Sequence, residues 1–186
     1  MTIESQTAPV VTPAPDIAPA AAGFMTRRVM GTISVAVLIL DQVSKLLVRT
    51  QIGLNDSIEI VPGLLNLVHV RNTGAAFGFL NAVVLANKQF LMTAVALVAL
   101  AAIGLYAWRV GSQEALARAG LALILGGAVG NLIDRAAAGY VLDFVDVYWR
   151  SYHFWAFNVA DSAITVGACL LILDMLVVTR DVSTPV

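Results

Sequence analysis

Asp143 and Asp161 are the residues around which a reaction is most readily built. Asp143 lies in VLDFVD (141–146) and Asp161 in FNVADSAI (157–164), and both segments adjoin long apolar stretches. Asn131, Arg135 and Asn158 also fall at the ends of such stretches, so all five polar side chains collect at one face of whatever the apolar stretches form. Two carboxylates that approach closely in an apolar setting cannot both ionise. One keeps a proton and the other can activate water, which is peptide hydrolysis without a metal or a covalent nucleophile. The chain offers no Gly-rich phosphate loop, Ser-x-x-Lys pair or Cys-His arrangement to support another enzyme class. His69 and His153 lack the paired spacing of a zinc helix, so neither a metal nor any other cofactor is expected.

Each of these residues also has a plainer reading. A period of two along YVLDFVDVYW sends Asp143 and Asp146 to opposite faces of a strand, so at most one faces a given site and the other is expected to be solvated. Asn158 and Asp161, three apart, can cap a helix between them. Asn131, Asp134 and Arg135 stand at i, i+3 and i+4 and share a helix face. Arg135 then either clamps a substrate carbonyl or a carboxylate, or reaches lipid phosphates while Asp134 pairs with it. Asp41, Ser44 and Lys45 share a face within an apolar run. A charge at the centre of a membrane span costs about 2.5–3.5 kcal/mol, so Asp41 and Lys45 are expected to pair inside the bundle. A lysine-neutralised carboxylate is a poor proton shuttle, which favours a role in helix packing over direct catalysis for this pair.

The elements that must position these groups follow from hydropathy. Of the 186 residues, 59% are hydrophobic and only 12% charged, against about 45–50% and about 25% in a soluble domain, which places the chain in a bilayer and leaves no room for a large extramembrane domain. The net charge of −1 advertises no nucleic-acid partner. Four spans are expected, over roughly 28–49, 89–108, 117–134 and 158–178. Gly126 and Gly130 form a small-xxx-small step in the third. Residues 50–88 hold short β-branched pieces that read as strands, and a further strand is expected near 140–148. The fold class is thus an all-α polytopic membrane protein, four transmembrane helices with a small extramembrane β element. Residues 1–26 read as a disordered Pro/Ala-rich tail, 27–179 as the membrane domain and 180–186 as a short C-terminal tail. Cys169, the only cysteine, reads as buried packing. Four spans put both termini on one side, but the flanking cations balance: Arg27, Arg28, Arg109, Arg118 and Arg180 face Arg49, Arg71, Lys88, Arg135 and Arg150. Charge alone leaves the orientation open.

Five blocks, DQVSK (41–45), RNTGAAFGF (71–79), GGAVGNLIDR (126–135), VLDFVD and FNVADSAI, occur in an order that resembles the lipoprotein signal peptidase family, also called signal peptidase II, across nearly all of 27–178. The resemblance implies an aspartyl endopeptidase of the bacterial inner membrane, with both termini cytoplasmic and the active site near the periplasmic face. Carried onto this sequence, it makes Asp143 and Asp161 catalytic, sets Asn72, Asn131, Arg135 and Asn158 around the substrate, and gives Asp41 and Lys45 a supporting role, with Asp134 and Asp146 auxiliary. It implies substrates that are prolipoproteins bearing a diacylglyceryl cysteine, cut on the N-terminal side of that residue, and no cofactor. The enzyme is expected to work as a monomer among membrane lipids. The loop 71–79, with Gly74 and Gly78, is expected to close over the substrate. A small ion-coupled transporter running through Asp41, Lys45 and Asp161 is the competing reading. Such sites lie near the bilayer midplane between repeated halves, whereas here the carboxylates end the spans and no internal repeat is apparent. A purely structural membrane adaptor would leave the polar cluster unexplained.

Overall fold

A computed structural model describes residues 25–74 and 87–181, with the side chains of the last helix described as far as Val177. The proline-rich tail and positions 75–79 of the expected substrate loop lie outside the described residues. Four helices are long and apolar enough to cross a membrane: α1 (Arg27–Gln51), α2 (Lys88–Arg109), α3 (Ala115–Ala138) and α4 (Val159–Asp181). Between them run β1 (Ser57–Val61), β2 (Leu65–Asn72), β3 (Val141–Trp149) and β4 (Tyr152–His153), which form one antiparallel sheet in the order β1-β2-β3-β4.

α3 is the axle of the bundle. It packs against α1, α2 and α4, whereas α2 packs on α3 and buries only Ala107. The outward residues of α1, such as Val35, Ile39, Leu40, Val43 and Leu47, are apolar. That pattern suits a lipid solvent, in which apolar groups belong outside and polar groups inside. Both faces of α3 are pared down for close approach. A Cβ at Gly126 would lie 2.6 Å from the Ser34 carbonyl oxygen of α1, and one at Gly120 would lie 2.6 Å from the Gly167 oxygen of α4. The expected small-xxx-small step therefore seats α1, and Gly120 with Gly167 forms a second, unforeseen contact with α4.

α3 runs four residues beyond its expected end at 134 and stops at Gly139, whose φ of 79° is open to glycine without strain. Two residues later β3 begins. Leu142 and Phe144 pack on Val48 and Ile52 at the end of α1, which seats the sheet on the bundle. Two readings are corrected here. Cys169 is exposed on the outer face of α4, because an apolar run does not distinguish a lipid-facing position from a packed one. Asp146 is buried and not solvated; it accepts from Asn66 Nδ2 at 3.1 Å and lies 2.9 Å from His153 Nδ1.

The expected pair of Asp41 and Lys45 is present at 2.8 Å with both side chains fully buried. Lys45 Nζ also reaches Asp134 at 2.9 Å, and Arg49 meets the other oxygen of Asp134 at 2.8 Å. The second oxygen of Asp41 accepts the Ala160 backbone N–H at 2.9 Å, so one side chain of α1 ties α3, through Lys45, to the first turn of α4. In Asp41→Asn one oxygen can still serve Ala160, but the new amide nitrogen then faces the Lys45 ammonium, donor against donor. Breaking such a buried pair costs about 3–5 kcal/mol. The variant is expected to lose yield and melting temperature more than turnover per folded molecule, measured on detergent-purified protein. Normal melting with lost activity would assign Asp41 to the chemistry.

Candidate active site

The carboxylates of Asp143 and Asp161 are brought to the junction of sheet and bundle by different local rules. Asp143 is buried near the start of β3 and pairs across the strands with Val70 of β2. Asp161 occupies the first turn of α4, where Asn158 caps the helix. The Asp161 N–H donates to Asn158 Oδ1 at 2.9 Å, and the Asn158 N–H donates back to Asp161 Oδ2 at 3.3 Å. This reciprocal cap is the plainer reading of the N-x-x-D spacing. It does not exclude a functional one, because the other oxygen of Asp161 accepts Asn131 Nδ2 at 2.7 Å.

Asparagine amides supply most of the remaining contacts. Asn158 Nδ2 donates to Asp143 Oδ1 at 2.8 Å, so one residue serves Asp143 with its side chain and Asp161 with its backbone. Asn72, the last residue of β2, donates Nδ2 to Asp143 Oδ2 at 3.0 Å, while its own carbonyl oxygen accepts the Gly74 N–H at 3.0 Å. Asn131 is itself oriented from below, since its Oδ1 accepts Lys45 Nζ at 2.9 Å and thereby turns its Nδ2 towards Asp161. An amide flipped in this position would set donor against donor.

Burial raises the Asp143 carboxyl to about 7, and the negative charge of Asp161 pushes it the same way; the bonds from Asn72 and Asn158 and the more distant Lys45 charge oppose the rise. At neutral pH Asp143 therefore stands near the middle of its titration, which suits proton exchange with a reacting group.

Arg135 meets neither of its two expectations in full. Its guanidinium donates to the Gly74 carbonyl at 3.2 Å and to its own-helix Asn131 carbonyl at 3.5 Å. It clamps a carbonyl, but one of this chain, where β2 leaves the sheet. Asp134 turns instead to Lys45, Arg49 and the Leu142 N–H at 3.2 Å. The structure thus gathers Asp143, Asp161, Asn72, Asn131, Asn158 and Arg135 at one junction, places Asp41 and Lys45 directly beneath it, and sets Asp146 apart on the sheet with His153. The buttress from Asp134 to Arg49 was missed. Its only sequence signal was an arginine one turn beyond Lys45 at the end of α1.

The family model described as signal peptidase (SPase) II matches residues 33–177. A lipoprotein signal peptidase of Geobacter metallireducens is 47% identical over 149 residues, covering 80% of this chain and 91% of the relative. One from Symbiobacterium thermophilum is 46% identical over 148 residues, covering 80% and 94%. A solved chain described as a bacterial membrane enzyme superposes with a TM-score of 0.76 at 32% identity, covering 88% of this chain and 97% of that one. On a match of this length and identity, the chain belongs to the signal peptidase II family and is a multi-pass membrane protease.

Proposed function

We propose that this protein removes signal peptides from prolipoproteins carrying a diacylglyceryl cysteine, by activating water between Asp143 and Asp161. The observation that carries the reading is the shared asparagine cradle, which orients both carboxylates through Asn158 while Asp143 titrates near neutrality. In the reactive form the pair holds one proton and one negative charge. Asp161 takes a proton from water as the oxygen attacks the scissile carbonyl, and Asp143 gives its proton to the carbonyl oxygen. The tetrahedral intermediate then collapses as Asp161 returns its proton to the leaving nitrogen and the carbonyl proton goes back to Asp143. Arg135, Asn72 and the Gly74 turn stand beside this reaction and hold the substrate backbone. Substrate reaches the pair from the bilayer, because α2 packs on α3 and leaves the outer face of α4 open to lipid. The termini lie in the cytoplasm and the sheet on the periplasmic side, with one chain as the working unit.

Asp143→Asn and Asp161→Asn should each remain folded and lose cleavage of a diacylglyceryl-modified peptide. Loss of a general acid or base alone removes a factor of about 10²–10⁴. The double variant should be little worse than either single one, because the two act as a unit. Near-normal processing by either single variant sinks the mechanism.

The pH profile has a definite sign. With its pKa raised to about 7, Asp143 is protonated below that pH and ionised above it, so kcat/KM should fall as pH rises through about 7, where the pair acquires a second negative charge. The midpoint belongs to the pair as a whole. A profile flat through neutrality would contradict this assignment of the proton.

Asn72→Ala removes a donor that favours the charged form of Asp143, so the alkaline limb should move upwards. A hydrogen bond to a charged group is worth about 1.5 kcal/mol, which corresponds to about one pH unit. Turnover should drop as well, because the Gly74 turn loses its anchor, while melting stays near wild type. Wild-type rates across substrate concentrations with an unmoved limb would remove Asn72 from the site.

A further inference from the structure

The excursion from β3 to α4 carries a group of exposed aromatic rings that the reaction does not use. β3 leaves the bundle at Val141 and the chain returns at Asn158. Between them it doubles back at Arg150, whose φ is 57°. The hairpin is well fastened. Phe154 N–H donates to the Val147 carbonyl at 2.8 Å, and His153 stacks on Tyr148 with ring centroids 5.0 Å apart while meeting Asp146. Yet Trp149, Tyr152 and Trp155 are 70%, 69% and 57% exposed. The β1–β2 turn lies alongside, because Tyr148 N–H donates to the Leu64 carbonyl and Gly63 N–H donates to the Tyr148 hydroxyl, both at 2.9 Å. It adds Val61 and Leu64, also exposed. With Phe154 also exposed, four large rings within seven residues are an unusual tip for a hairpin that projects into water.

We propose that the strap Trp149–Trp155 is a bilayer anchor, seated at the headgroup level of the leaflet on the sheet's side, with lipid as its occupant. Three observations favour lipid over a protein partner. The strap is continuous with an exposed apolar face of a helix long enough to cross a membrane: Trp155 precedes α4 by four residues, and the outward side chains of α4 include Val166, Ile172, Leu173 and Leu176. Its charge suits phosphate, since Arg150 is the only formally charged residue between Asp146 and Asp161 and no carboxylate intervenes. The ring types suit an interface as well, because Trp and Tyr pair an apolar body with one polar atom and concentrate where membrane meets water. The strap joins Asp143 to Asp161 in sequence, so its depth sets the height at which that pair meets the membrane. This last consequence rests on the proposed function; the anchoring does not.

The full chain has three tryptophans, Trp108, Trp149 and Trp155. In the variant Trp108→Phe/Trp155→Phe, Trp149 alone reports its surroundings, without any need for turnover. Reconstituted in phosphatidylcholine vesicles, its fluorescence should be quenched strongly by lipid brominated near the headgroup end of the acyl chain, less by bromine near the methyl end, and weakly by aqueous iodide. Strong iodide quenching with no effect of brominated lipid overturns the proposal, and so does protection from both, which would mean a protein cover. In a second arm, Trp149→Ser/Tyr152→Ser should lower cleavage of a lipid-modified peptide several-fold in vesicles while sparing it in detergent, where no membrane plane exists. Equal loss in both media overturns the claim about height. Wild-type cleavage in vesicles does so too.

Discussion

The Lys45 ammonium sits where a charge is costly, inside the bundle and fully buried, and its three N–H groups find three acceptors on Asp41, Asp134 and Asn131. Remove any one and a buried donor or carboxylate is left unmatched, at a cost no lipid can offset. Because these acceptors lie on α1 and α3, and Asp41 extends the chain of contacts to the Ala160 N–H of α4, the ion cluster fixes the relative height and rotation of three helices at once. The candidate dyad inherits that precision. Asn131 is aimed at Asp161 because Lys45 has claimed its carbonyl oxygen, and the α4 cap is placed where Asp41 holds the neighbouring backbone group. Such a network contributes more to uniqueness than to net stability, since any slip of one helix past another would strand a charge.

The two carboxylates occupy different kinds of scaffold, a difference that matches the separate roles proposed for them. Asp161 belongs to a helix cap and receives a backbone N–H and an amide, so both its oxygens are held from the protein side. Asp143 comes from β3, an inner strand of the sheet, and its partners arrive from β2 and from the residue before α4. Burial and the nearby Asp161 charge shift its carboxyl towards neutrality. A strand supplies reach and a helix end supplies rigidity, and the site needs both.

Much of this arrangement was legible in the sequence. The four spans follow from long apolar runs, and β3 from period-two alternation, with its limits displaced by about one residue. The N-x-x-D cap was legible as well, although local spacing could not say that capping leaves one oxygen of Asp161 for Asn131. The contacts that escaped detection are long-range. Lys45 to Asn131 joins positions 86 apart, and Arg49 to Asp134 joins positions 85 apart; nothing in the local pattern near either residue encodes its partner. The end of α3 was misplaced for the same reason. Asp134 and Arg135 resemble a membrane boundary until α1 supplies cations for the carboxylate, after which the helix can continue to Ala138. Asp146 looked solvated because a strand's outer face usually is, but here Asn66 and His153 close over it.

Asp143 and Asp161 are held by asparagines and backbone, groups that have no oxidation chemistry under ordinary conditions. The one thiol of the chain, Cys169, is exposed on the outer face of α4, eight residues after Asp161. Peptidases that use a cysteine nucleophile are disabled when the thiolate climbs to sulfenic or sulfinic acid. An oxygen-based pair has no such ladder. If the proposed pair carries the reaction, the protein should keep working through peroxide exposure that silences thiol enzymes, and any loss of function under oxidation would have to enter through damage to the fold or to the surrounding lipid.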